Sequence, residues 1–288
     1  MKITGKILIY TTFTIVALLV ALYLRFPSDL IRQIVIEQVA RAQPEARIDT
    51  ERIALALPAS IKFEPLAVTY ADIPIVRIDS IRVTPRLLTM FGDLRRFGLQ
   101  GEMGVGELRG TAETGFRSNR HHAMVTLNLT RVPLDFIEIL YHWPGFLPQG
   151  ALDATIKFDA LKDGGTAEIN MRVAPAIIFL DPPQMGIEEL EFHRLEAQVT
   201  ATASKVQIRN GEADGDQLEG KISGSIIFRE PLEESRVTLT LTLKPRPAFL
   251  EEHKGSMLGG LLSAGSFQKR GLVLRITGTL NNPKYVTK

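Results

Sequence analysis

Strict alternation of apolar and polar residues is the feature that most constrains this chain. In RVTLTLTLKP, residues 236–245, Val237, Leu239, Leu241 and Leu243 point to one side of an extended backbone. Thr238, Thr240, Thr242 and Lys244 point to the other. A period of two in residues rich in Val and Thr specifies a strand with one apolar and one wetted face. The pattern recurs in AMVTLNLT through Val125, Leu127 and Leu129, and in ALDATIKFDA through Leu152, Ala154, Ile156 and Phe158. AEINMRVA carries it through Ile169, Met171 and Val173, and LEAQVTATASKVQIRNG through Leu195, Ala197, Val199, Ala201, Val206 and Ile208. GLVLRITGTL ends the series with Leu272, Leu274 and Ile276. Upstream, IKFEPLAVTYADIPIVRIDSIRVTP reads as two or three short strands broken at Pro65 and Pro74. Glycines beside the alternating runs, as in GELRGTAE and DQLEGKISGSIIF, mark bulges or close backbone approach. A mainly β chain follows, its sheet growing by successive hairpins.

Three interruptions have helical spacing: PRLLTMFGDL near 85–94, PLDFIEILYHW at 133–143, and one turn at the start of 247–269, ahead of a Gly/Ser-rich loop. Near the N-terminus, FPSDLIRQIVIEQVARA places Leu30, Ile31, Ile34, Val35 and Val39 on one helical face, with Ser28 as N-cap and Pro44 as stop. This amphipathic helix either caps the following domain or lies along a bilayer surface.

Ile7–Leu24 is eighteen residues without a charge. That is long enough to cross a hydrocarbon core as a helix, and it lacks a small-x-small cleavage site at its end. Lys2 and Lys6 precede it, so the positive-inside rule puts the N-terminus in the cytoplasm and the rest of the chain outside. The expected organisation is a tip and single-pass anchor at 1–25, the amphipathic helix at 26–44, and a β-rich domain at 45–288. Strands shorter than the 9–11 residues a spanning strand needs argue against an outer-membrane barrel.

The charge balance is ordinary: a net charge of +2, with 23% charged and 45% apolar residues, excludes a disordered composition. Without a basic block interleaved with aromatics, nucleic acid is not an expected partner. The chain has no cysteine, which removes disulfides and thiolate metal sites. His121, His122, His142, His193 and His253 form no metal-binding spacing. Gly104, Gly106 and Gly110 sit in a strand–turn–strand context and not in a phosphate cradle. Asn210, Glu212, Asp214, Gly215 and Asp216 imitate a calcium loop, but Lys221 stands where a bidentate glutamate is required, so an acidic hairpin is expected. Trp143 in YHWPG reads as a core or turn aromatic. No catalytic residue, cofactor-binding residue or metal ligand is expected, and the chain does not read as an enzyme.

IDSIRVTPRLLTMF, GELRGTAETG, LPQGALDATIKF and the terminal LRITGTLNNPKYV carry a family resemblance. Its most specific part is Gly215, Asp216, Gly220, Ile222 and Gly224, followed by Pro231, Leu232 and Ser235. With these residues the chain resembles the longer form of the type II secretion system protein N family, related to AsmA-like proteins. The resemblance implies an inner-membrane anchor, a periplasmic domain, and a part in moving folded proteins across the outer membrane beside other secretion-system subunits. It further implies a long, strongly curved antiparallel sheet with an apolar groove partly closed by helices, lined by Leu239, Leu241, Leu243, Leu272, Leu274 and Ile276. The alternative is an ordinary core beneath the helices at 28–41 and 133–143. A departure, the very apolar IIFLDPPQMGIEELEF, leaves open an AsmA-like protein that binds or transfers lipid.

Overall fold

The computed structural model describes residues 28–42, 44–56, 60–117, 120–141, 146–162, 165–184, 187–231, 234–252 and 271–287. The expected anchor at Ile7–Leu24, Trp143, the histidines at 142 and 253, Leu232 and the Gly/Ser-rich loop after Glu252 lie outside the described residues. Among the described residues, no helix is long and apolar enough to cross a membrane.

A helix, α1 (Ser28–Ala42), leads into β1 (Ala46–Ala56), β2 (Ser60–Tyr70), β3 (Ile73–Ile78) and β4 (Ser80–Pro85). Then come β5 (Leu94–Met103), β6 (Gly106–Arg117), β7 (Arg120–Pro133), β8 (Phe146–Asp159), β9 (Thr166–Gln184) and β10 (Ile187–Phe192). The chain continues through β11 (Arg194–Thr202), β12 (Lys205–Asp214), β13 (Leu218–Ile227) and β14 (Arg236–Pro245). A short helix, α2 (Pro247–Glu252), precedes β15 (Leu272–Thr279) and β16 (Pro283–Thr287). All these strands belong to one antiparallel sheet, ordered β1-β2-β4-β5-β6-β7-β8-β9-β11-β12-β13-β14-β15-β16, with β3 beside β2 and β10 beside β9. Neighbours in sequence are thus almost everywhere neighbours in the sheet, as successive hairpins require.

Several expectations need correction. Many strands reach the length a spanning strand needs: β7 and β8 have 14 residues and β9 has 19. Short strands therefore give no argument against a barrel. Pro65 does not break its strand but lies inside β2. There β2 changes partner, from β4 at Phe63 to β3 at Leu66, so the missing N–H falls at a gap in the ladder. The two internal helices are 3-10 turns. Leu87–Thr89 is confined by a hairpin closed from Arg86 N to Arg96 O, which leaves no room for an α-helix. The second is split into Leu134–Phe136 and Glu138–Tyr141 because Ile137 takes φ −97° and ψ 77°.

The core lies along one margin of the apolar sheet face. Met103, Leu108, Val132, Leu152 and Val173 are buried there, and Leu134 and Phe136 from the 3-10 turns and Phe249 from α2 close over them. A bulge in β7 builds this margin. Between Leu129 and Val132 the register shifts, and Arg131 takes φ 51° with its N–H donated to Asp153 Oδ1 at 2.9 Å. The extra residue turns both Leu129 and Val132 toward the core, which strict alternation would forbid. Gly106 packs against that bulge: a Cβ there would lie 2.5 Å from Val132 Cα.

Candidate functional site: the apolar sheet face

Strand register converts the alternation into rows running across the sheet. Leu55, Ile61, Val83, Leu99, Gly110 and Leu127 are successive cross-strand partners. Ile156, Ile169, Val199, Ile208, Gly224, Leu239 and Ile276 continue the same row. No charged or hydroxyl-bearing side chain interrupts it from β1 to β15. At about 4.8 Å per strand it extends roughly 55–60 Å along the sheet. Every member is half-buried, neither enclosed as a core residue is nor freely solvated.

A second row runs beside it from Ile53 and Phe63 through Leu108, Leu129, Ala154 and Met171 to Ile222, Leu241 and Leu274. Its residues in the first half of the sheet, such as Ile53, Leu108 and Leu129, are buried, whereas Ile222, Leu241 and Leu274 are half-buried. A third row, at the capped margin, contains Leu152, Val173, Leu195, Ala213, Gly220, Leu243 and Leu272.

The six residues expected to line a groove are brought together as three facing pairs: Leu239 with Ile276, Leu241 with Leu274, and Leu243 with Leu272. They fall in three different rows. Leu272 packs against the core cluster that contains Phe249, while Leu239, Leu241, Leu274 and Ile276 are not part of that cluster. Among the described residues, Leu272 is thus the one of the six packed against this cluster, and in the first row Leu99, Leu127 and Ile156 are packed against it as well. The sequence reading missed the rest of the row, from Leu55 to Gly224. Its signal was present in each alternating strand, but register between strands was needed to align the residues.

Gly224 shapes the row beside Leu239. It has φ +141°, and a Cβ would fall on Thr238 O and Leu239 Cα. Only glycine lets β13 approach β14 so closely here. Ser235, fully buried, accepts a hydrogen bond from Arg229 N at 3.1 Å and fixes the loop before β14. Asp216 is hydrogen-bonded with His193 at 2.9 Å, and Asp214 forms an ion pair with Arg246 at 2.6 Å, so these two carboxylates of the apparent calcium loop are hairpin residues already engaged by side chains.

The opposite face is polar. A cleft of about 540 Å³ lies across β7, β8, β9, β11 and β12 and includes Asn128, Thr155, Asn170, Arg172 and Glu196. Arg172 and Arg194 both reach Glu196, and Thr155 donates to Asn128 at 3.0 Å, as on a solvated, mutually paired surface. Near one rim, Arg96 donates to Glu113 at 2.6 Å and holds its carboxyl below the ordinary carboxylate range, with His122 3.4 Å away adding to the effect. Among the described residues, no cluster of three metal-ligating side chains occurs.

Compared with protein-family profiles, with curated proteins and with solved structures, the chain finds no match in any of the three. The long antiparallel sheet and its apolar rows are thus the ground for a functional reading.

Proposed function

We propose that this chain is a non-catalytic accessory component of a type II secretion system, held in the inner membrane by Ile7–Leu24, with its sheet in the periplasm. In this reading the sheet curves around its apolar face, and the half-buried rows form a groove for an apolar element of a partner. The observation that carries the reading is the uninterrupted row from Leu55 to Ile276, half-buried throughout. A closed core would bury such a row. The backbone beneath it is already paired within the sheet, so a partner must satisfy its own hydrogen bonds. The apolar side of an amphipathic helix meets that condition.

A second reading, lipid binding or transfer, is favoured by the row's composition. With no polar side chain along it, the row offers nothing to a ligand except apolar contact, which suits an acyl chain.

Deletion of the gene, with complementation, tests both. The first reading expects reduced secretion of folded type II substrates, restored by the wild-type chain. Leu241→Asp with Leu274→Asp would not restore it, although the protein accumulates in the membrane at normal level. Unchanged secretion with altered outer-membrane lipid composition would select the second reading. No change in either would refute both.

A further inference from the structure

The turn between β4 and β5 has no role in the apolar rows, yet it carries the two most exposed large apolar side chains among the described residues, Leu88 and Phe91, with Leu87 beside them. Leu88 is 98% exposed, Phe91 97% and Leu87 63%. The turn holds its own backbone. Arg86 N donates to Arg96 O, Thr89 N to Arg86 O, Met90 N to Leu87 O and Gly92 N to Thr89 O. The Thr89 hydroxyl bonds Arg86 O at 2.8 Å and accepts from Arg96 N at 3.1 Å. Leu88 and Phe91 are therefore held outward on a closed frame, and few polar groups would be stranded if the tip left water.

The turn shares its rim with the end toward which α1 runs. Ile61 pairs with Val83, so the β4–β5 turn lies at the same strand ends as Ala56 and Ser60. The C-terminus of α1 lies at the opposite rim, beside Ala46. From there α1 folds back along β1. Arg32, about 15 Å up the helix, bonds Asp49 at 3.2 Å. Ser28 thus points toward the rim of the turn, and the N-terminal half of α1 exposes Leu30 and Ile34. Only Arg25, Phe26 and Pro27 separate Ser28 from the uncharged segment Ile7–Leu24. Arg86 and Arg95 flank the tip, exposed and, among the described residues, in no ion pair, whereas Asp93 is the one acidic residue of the turn.

We propose that Leu88 and Phe91, with Leu87, insert into the surface of the bilayer that holds the chain's own N-terminal segment, with Arg86 and Arg95 on anionic headgroups. The sheet would then stand on the membrane at two points, α1 and this tip. The inference rests on the anchored topology proposed above, but not on secretion or lipid transfer.

The chain has no cysteine, so Met90→Cys accepts a single fluorophore between Leu88 and Phe91. The full-length chain carrying an environment-sensitive label there is reconstituted into vesicles of phosphatidylethanolamine and phosphatidylglycerol, and flotation is recorded first. The expected result is a blue-shifted emission, quenched by nitroxide on the upper acyl chain several-fold more than the same label at Thr240→Cys on the polar face. Adding Leu88→Asp and Phe91→Asp should abolish the shift, and vesicles lacking phosphatidylglycerol should weaken it. A chain that floats while its labelled tip emits as in water overturns the inference, leaves the anchor standing, and assigns the tip to a protein partner. A chain that does not float overturns both.

Discussion

Phe136 should be among the most costly side chains to truncate. It is 8% exposed, its ring occupies the space a side chain on Gly104 would fill, and the Arg77 guanidinium carbon lies 5.1 Å from the ring centroid. Phe136→Ala removes a ring from the lid over Met103 and Val132 and leaves a cavity that the sheet backbone cannot close. Such truncations cost about 3–5 kcal/mol, and the lost cation–π contact adds about 0.5–1 kcal/mol. With a urea dependence of about 3 kcal/mol per molar, the midpoint should fall by roughly 1–2 M. The assay is urea unfolding of the full-length chain in mild detergent, followed by the fluorescence of the single tryptophan, Trp143, two residues beyond the second 3-10 turn. Phe91→Ala, at 97% exposure, is the matched control and should move the midpoint by less than about 0.2 M. If Phe136→Ala behaves like the control, the 3-10 turns do not cap the core and the division of the face into covered and uncovered rows is wrong.

Other outcomes follow from the same geometry. Gly224→Val places a side chain on Thr238 O at a φ of +141°, so it should destabilise by more than about 2 kcal/mol in the same urea assay, whereas Ser223→Val on the polar face should not. Glu113 is held below the ordinary carboxylate range chiefly by Arg96. Its contribution is therefore present above that range and lost as pH falls through the lower folded-state value. Thermal melts between pH 7 and pH 3 should accordingly lose less stability in Glu113→Gln than in the wild type. Leu241→Asp should cost less than Phe136→Ala, because a carboxylate in a half-buried row keeps part of its hydration; an equal or larger loss of midpoint would place Leu241 in a closed core.

Alternation in the strands fixed much of this fold in advance. The runs at 123–130, 151–160, 167–174, 195–208 and 236–245 all became strands, and pairing by successive hairpins followed from their spacing. Leu239, Leu241, Leu243, Leu272, Leu274 and Ile276 were expected together as one groove lining, but their division into three facing pairs needed the register of β14 on β15. What escaped was non-local. The β7 bulge depends on Asp153 of the next strand accepting from Arg131, and nothing near Arg131 announces it. The apolar run at 177–192 looked anomalous because β9 extends past its pairing with β11, where β10 takes that place opposite β8 and Ala176, Leu180 and Phe192 become buried. Leu87, Leu88 and Phe91 suggested a helix, because apolar spacing alone does not distinguish a helix from a 3-10 turn held in a hairpin tip.

Whether the apolar rows stand open is decided most directly by cysteine accessibility, since every thiol introduced is the only one in the chain. Leu239→Cys, Leu241→Cys, Val132→Cys and Thr240→Cys would each be treated with a small maleimide in the folded, full-length protein, with and without added phospholipid. The thiols at 239 and 241 are expected to react more slowly than that at 240 but far faster than the strongly protected thiol at 132, and the lipid-binding reading adds that phospholipid slows the first two alone. Protection of positions 239 and 241 equal to that of 132 without lipid would contradict the account, because the rows would then be covered by the chain itself.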